Sequence, residues 1–60
     1  MLTVTIVWFD GSTQDLMFQG SRFQFEKELK ASPVIAFHRI DNPLEFEYVV
    51  VANVVTFLVK

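Results

Sequence analysis

Two segments near the start of the chain have the pattern of β-strands. Thr, Val and Ile dominate residues 2–9, and residues 13–19 alternate Leu16 and Phe18 with a partly polar set that consists of Thr13, Asp15, Met17 and Gln19. β-Branched residues and a period of two are typical of strands. The Asp10-Gly11 pair between the segments favours a tight turn. The chain therefore begins with a predicted β-hairpin.

A helix is predicted immediately after this hairpin. Ser21 and Gln24 have the spacing of a capping box, and residues 22–31 consist mainly of good helix formers. Ser32-Pro33 ends the helix, because the residue before a proline avoids the helical conformation.

Two phenylalanines of this helix cannot both face one sheet. Phe23 and Phe25 are two residues apart, which is about 200° on a helical wheel. Either the helix begins near Phe25 and Phe23 packs at its entry as a hydrophobic staple, or Phe23 is an exposed aromatic anchor for a partner.

The second half of the chain predicts further strands. Residues 34–40 form a third strand and residues 44–52 a fourth, separated by the turn residues of segment 41–43. Residues 54–59 form a fifth strand or extend the fourth, with Asn53 as a bulge or a turn. In the fourth strand we expect one set of alternate side chains to point inward, Leu44, Phe46 and Tyr48, and the other outward, Glu45 and Glu47.

The order of elements predicts one small α+β domain over residues 1–60. It contains an antiparallel sheet of four to five strands, with one helix packed on one face in the order ββαββ(β). An SH3-like open β-barrel is the alternative architecture.

The last strands carry more apolar side chains than one helix can cover. A ten-residue helix is only about 15 Å long. If about four large side chains stayed wet, the chain would forgo on the order of 6–12 kcal/mol, which rivals the stability of a small domain. We therefore expect a homodimer or a higher homo-oligomer, unless the sheet closes into a barrel. The residues expected at this interface are Tyr48, Val49, Val51, Val55 and Phe57.

Composition excludes several classes of protein. Hydrophobic residues make up 52% of the chain and charged residues 20%, which is not the composition of a disordered segment. Cysteine is absent, so disulfides and thiolate metal sites are excluded. The net charge of −2, with five Lys and Arg, makes nucleic-acid binding an unfavoured function.

The sequence also predicts a cytoplasmic protein without a membrane partner. The first residues lack the basic segment of a targeting signal. The longest apolar stretch, residues 48–59, is shorter than the roughly 20 residues of a membrane-spanning helix.

Catalytic, metal-binding and cofactor-binding patterns are not found. The single histidine, His38, has no nucleophile placed beside it, and a strand directs His38 and Asp41 to opposite faces. Glu45 and Glu47 are too few to hold a metal and are more simply a solvated, edge-protecting stripe. We therefore expect neither enzymatic activity nor a cofactor.

Size, the scarcity of catalytic groups and the dense β core resemble small accessory proteins of phages and mobile elements. Many of these inhibit host factors by binding them, and the resemblance therefore implies an inhibitor that occludes or sequesters a partner protein. The partner-binding residues expected are Arg22, Phe23, Glu45 and Glu47.

The alternative function is an oligomer that sequesters a small, nucleotide-like anionic ligand in pockets between its subunits. Its binding residues would be Arg22, His38 and Arg39, together with the helix N-terminus.

Overall fold

The computed structural model describes all residues from Met1 to Lys60. It contains one five-stranded antiparallel sheet, in the order β4-β3-β2-β1-β5, and one α-helix. This confirms the predicted small α+β fold. The elements in chain order are β1 (Leu2–Trp8), β2 (Thr13–Phe18), α1 (Arg22–Ala31), β3 (Val34–Arg39), β4 (Phe46–Val50), a 3₁₀ turn (Val51–Asn53) and β5 (Val54–Val59).

The short link between β4 and β5 requires the sheet to curve. These strands lie at opposite ends of the strand order, about 19 Å apart in a flat sheet, yet the four residue steps from Val50 to Val54 reach only about 14 Å. The turn is held at both ends, because Val51 donates its N–H to the Pro33 carbonyl at 2.9 Å and Asn53 accepts from the Phe9 N–H at 3.4 Å. The sheet is therefore curved, and β4 and β5 form its two unpaired edges.

The concave inner face of the sheet holds the core. Phe25 of α1 inserts there, with its ring centroid 5.1 Å from Phe18, 5.9 Å from Phe37 and 5.5 Å from Phe57. Such tilted and edge-on contacts are favourable for aromatic rings. The buried apolar side chains are Val4, Ile6, Leu16, Phe18, Phe25, Ile35, Phe37, Val49 and Val54.

The hairpin between β1 and β2 forms at the predicted place, and the Trp8–Ser12 pair closes a loop of three residues, 9–11. Trp8 donates its N–H to the Ser12 carbonyl at 2.9 Å, and Gly11 donates back to Trp8 at 3.0 Å. Gly11 has φ +88°, the left-handed conformation of the residue that forms the bulge at the end of such a loop.

The predicted capping box sets the start of α1. The Ser21 hydroxyl accepts the Gln24 N–H at 3.2 Å, and Oε1 of Gln24 accepts the Ser21 N–H at 2.8 Å. The helix consequently begins at Arg22, and the interpretation in which it begins near Phe25 is wrong. Phe23 lies on the opposite side of the helix from the core and is 71% exposed.

Gly20 is required by the approach of the chain to this cap. Its φ is +152°, and a Cβ atom there would lie 2.6 Å from Oε1 of Gln24 and 2.8 Å from the Phe18 ring. A side chain at this position would displace the capping residue or a core ring.

The fourth strand has the opposite orientation to the one predicted. Val49 is 2% exposed and pairs with buried Ile35, so it defines the inward set of side chains. Phe46 and Tyr48 belong to the other set and face outward, while Leu44 lies before the strand and is 90% exposed. The expectation that these three side chains point inward is wrong, because a strand offers only two phases and Val49 fixes which one is buried.

The C-terminal segment is a separate strand with a bulge. Asn53 ends the 3₁₀ turn and has no positive φ. The bulge lies at Val55 instead, since Val54 pairs with Trp8 and Thr56 pairs with Val7.

Candidate functional site

Six side chains form an outward patch on β3 and β4, called here the β3–β4 outer face. They lie in three cross-strand pairs, Val34 with Val50, Ala36 with Tyr48, and His38 with Phe46. The register directs them to the face opposite that of Ile35, Phe37 and Val49. None carries a carboxylate, an ammonium or a guanidinium group.

Most of this face is open to solvent. The exposed fractions are 43% for Val34, 53% for Phe46, 72% for Tyr48 and 42% for Val50. An antiparallel sheet normally places polar side chains on its solvent face. A contiguous apolar group there marks a binding surface more often than isolated apolar residues do.

His38 is a structural member of this face. Its Nδ1 lies 2.8 Å from the Pro43 carbonyl oxygen, and its Nε2 lies 3.1 Å from Oε1 of Gln19. Its ring centroid is 4.5 Å from that of Phe46, and the residue is only 9% exposed. Both ring nitrogens have partners within the fold, so neither is presented to a ligand.

The remainder of the outer face is mixed, with Val7, Met17 and Leu58 beside polar residues of β1, β2 and β5. Thr5 on β1 donates a hydrogen bond from its hydroxyl to Asp15 on β2, and Nζ of Lys60 lies 3.6 Å from the same carboxylate. The Thr5 hydroxyl, followed by the positive charge of Lys60, lowers the pKa of Asp15. The outer face of β2 therefore carries a carboxylate, whereas the β3–β4 outer face carries none.

The strand β4 also presents an unpaired backbone edge. Glu45 accepts the Arg39 N–H at 3.1 Å and Val51 donates to Pro33 at 2.9 Å, so the odd-numbered positions direct their backbone groups toward β3. In an antiparallel ladder the intervening residues direct theirs the other way. Because β4 is the last strand of the order, these outward groups have no neighbouring strand. They belong to Phe46, Tyr48 and Val50.

A charged cluster on the inner side explains why β4 tolerates its orientation. Arg39 contacts Asp41 through two hydrogen bonds of 3.0 Å, and also lies 3.8 Å from Glu45 and 3.5 Å from Glu47. Gln14 donates to Glu47 at 2.6 Å. The hydrogen bonds between Arg39 and Asp41 raise the pKa of the guanidinium and lower the pKa of the carboxyl group. Glu45 and Glu47 thus form part of a cation-centred cluster and not a free acidic stripe.

The expected self-association residues occupy different environments. Val49 fills the protein's own core, and Val51 and Phe57 are half-buried against that core. Tyr48 and Val55 are exposed, at 72% and 57%, and they lie on strands at opposite edges of the sheet. The structure therefore joins Tyr48 to neighbours that the sequence analysis did not select for an interface: Val34, Ala36, Phe46 and Val50.

The expected partner-binding residues fall into two places. Arg22 and Phe23 lie exposed on α1, where the Lys27 ammonium is 6.0 Å from the Phe23 ring centroid. No hydrogen bond or ion pair joins them to Glu45 or Glu47, which face Arg39. The helix surface with Phe23 is thus a second exposed surface, separate from the charged cluster.

The residues of the expected ligand site do not converge within one chain. His38 and Arg39 are consecutive on β3 and point to opposite faces. Arg39 is surrounded by three carboxylates, and Arg22 lies on the helix. The structure also brings no three metal-ligating side chains together.

Comparison with known proteins gives no match to a family model, a curated protein or a solved structure. No helix in the structure has the length and hydrophobicity needed to cross a membrane.

Proposed function

We propose that this protein is a non-enzymatic binding protein that self-associates through β4 and the β3–β4 outer face and acts by occluding or sequestering a partner protein. The observation that carries the proposal is the uncharged, solvent-exposed apolar surface around Phe46, Tyr48 and Val50. On β1 and β2 the outer face includes Thr3, Thr5, Thr13 and Asp15.

Burial of this exposed apolar surface would stabilise an assembly. Phe46, Tyr48 and Val50 are each about half to three-quarters exposed. With about 1.5–3 kcal/mol for each fully buried side chain, complete burial of the three would contribute roughly 2–5 kcal/mol per chain, and packing beside the same side chains of a second copy provides part of this. A second copy contributes the same amount, which favours an isologous dimer in which both copies use one surface.

Self-association is tested by the mass in solution. Sedimentation equilibrium of the wild-type chain over a wide concentration range should show species of twice 7.0 kDa or more. Tyr48→Lys should shift the distribution to the 7.0 kDa monomer, because it places a charge in the apolar surface. A wild-type chain that remains monomeric at every concentration would refute self-association.

Phe23 supplies the surface proposed for a different protein. It is 71% exposed on α1, and aromatic residues, phenylalanine among them, are enriched in the cores of protein–protein interfaces. The proposed surface is tested by affinity capture from a cell lysate with wild-type, Phe23→Ala and Tyr48→Lys chains. A specific protein retained by Tyr48→Lys and lost by Phe23→Ala would support two separate surfaces. A captured set that is identical for all three chains would contradict a role for Phe23.

A further inference from the structure

We infer that the second copy pairs edge to edge with β4, antiparallel, in a register centred on Tyr48. Tyr48 then lies opposite Tyr48 of the second copy, and Phe46 lies opposite Val50 of the second copy. This inference rests on the self-association proposed above and assigns its geometry. The product is one continuous sheet of ten strands, five from each chain.

The backbone of β4 is suited to this pairing. Phe46, Tyr48 and Val50 each direct one N–H and one C=O away from β3. In the register centred on Tyr48, all three residues of each chain face outward groups of the other chain. Such an arrangement makes about six N–H···O bonds, two for each opposed pair.

Electrostatics and the number of hydrogen bonds distinguish this register from its neighbours. A shift of two residues in one direction places Glu47 directly opposite Glu47 of the second copy, and like charges directly opposed are destabilising. A shift in the other direction places Val49 opposite Val49 and leaves Phe46 beyond the end of the pairing. The centred register avoids the repulsion and keeps every outward backbone group paired.

The other edge of the sheet is less suited to pairing. β5 contains the bulge at Val55 and is followed by Lys60. Bulges and edge lysines both oppose the addition of another strand. β4 has a regular register with β3 and contains no bulge, lysine or proline. Its one charged residue, Glu47, is already engaged by Gln14 and Arg39.

Single cysteine variants test the register directly, because the natural chain has no cysteine. In Tyr48→Cys the two introduced thiols would be on Cα atoms about 5.5 Å apart, within the usual range of about 4.4–6.8 Å for a disulfide. In Phe46→Cys the two equivalent positions would be four residues out of register, or about 13 Å apart. Mild oxidation should therefore cross-link Tyr48→Cys into a dimer and leave Phe46→Cys uncross-linked. Val55→Cys, exposed on β5, is the matched control and should also remain uncross-linked.

A mixed experiment covers the case in which Tyr48→Cys itself weakens the dimer. Phe46→Cys and Val50→Cys chains should each resist oxidation alone but form a mixed disulfide when combined, because the register places these positions opposite each other. A wild-type dimer combined with no cross-link at Tyr48 and no mixed disulfide would overturn the edge pairing and leave self-association intact. A wild-type monomer at all concentrations would overturn both proposals. Efficient cross-linking of Val55→Cys would instead place the interface at β5.

Discussion

The two edges of the sheet differ in whether they carry features that oppose the addition of a further strand. β5 is interrupted by a bulge at Val55 and ends beside Lys60, whose ammonium reaches Asp15 at 3.6 Å. β4 pairs with β3 in an unbroken register and displays Phe46 and Tyr48 beside its free backbone groups. Soluble sheet proteins usually protect both edges by such devices. An edge left unprotected in the same small sheet is therefore where a partner strand is expected.

The largest expected effect, on the free energy of unfolding, compares the inner and outer faces of β4. Val49→Asp places an unpaired carboxylate among core side chains, because Val49 is 2% exposed. We expect a loss of about 3–5 kcal/mol in the free energy of unfolding, a large part of the stability of a small domain. Circular dichroism during thermal unfolding measures it.

The neighbouring position supplies the control for this substitution. Val50→Asp introduces the same carboxylate on the outer face, where Val50 is 42% exposed. We expect the chain to remain folded and its self-association to weaken. Equal destabilisation by Val49→Asp and Val50→Asp would show that the orientation assigned to β4 is incorrect.

The next effect compares the two edges through assembly. Tyr48→Lys should convert the oligomer to monomer, while Val55→Lys should leave the oligomer unchanged, since the β5 edge already carries its own protection. Both residues are more than half exposed, at 72% and 57%, so each lysine should change the unfolding free energy by only about 0.5 kcal/mol. Sedimentation equilibrium and thermal unfolding of the three chains measure these effects. Dissociation by Val55→Lys alone would reverse the assignment of the edges.

Much of the fold could be predicted because it depends on local signals. Asp10-Gly11 indicates a hairpin through the left-handed conformation that glycine permits. Ser21 and Gln24 indicate the helix start through two reciprocal hydrogen bonds, and Pro33 indicates its end. Each signal lies within a few residues of the feature that it predicts.

The orientation of β4 could not be predicted in the same way. Hydrophobicity alone favours burying Leu44, Phe46 and Tyr48, because the alternate residues Glu45 and Glu47 are charged. The decision depends on Arg39, which lies across the strand pair and gives those carboxylates a cation on the inner side. This pairing is known only once the strand order and register are known.

The location of the candidate interface also depends on the orientation of β4. The surplus of apolar side chains indicates a surface to be covered, but the apolar pattern along the chain places Val49 and Phe57 on that surface. The core uses Val49, and the half-buried Phe57 packs against it. Phe46, Tyr48 and Val50 form the part of the surplus on β4, in cross-strand pairs with β3 that no local pattern specifies.

A smaller effect is expected from the ion pairs that lie next to each edge. Arg39→Met removes the cation facing Asp41, Glu45 and Glu47, whereas Lys60→Met removes one contact to Asp15. We expect Arg39→Met to lower the melting temperature more, since Glu47 is half-buried and would lose its charged partner. Hydrogen exchange should show faster opening of the amides that join β4 to β3. Equal changes in both variants would contradict a supporting role for the Arg39 cluster.

The smallest expected effect is the pH dependence at the β5 side. The pKa of Asp15 is lowered from 3.8, first by the Thr5 hydroxyl and then by Lys60. A carboxyl group whose pKa is lower in the folded state stabilises the fold above its ordinary pKa, and this contribution is lost as the pH falls through the folded value. Wild-type melting temperatures should therefore fall as the pH drops below about 4. Asp15→Asn should show a shallower fall over that range and a lower melting temperature at neutral pH. A parallel fall in the two chains would mean that the Thr5, Asp15 and Lys60 contacts contribute nothing to the stability of this edge.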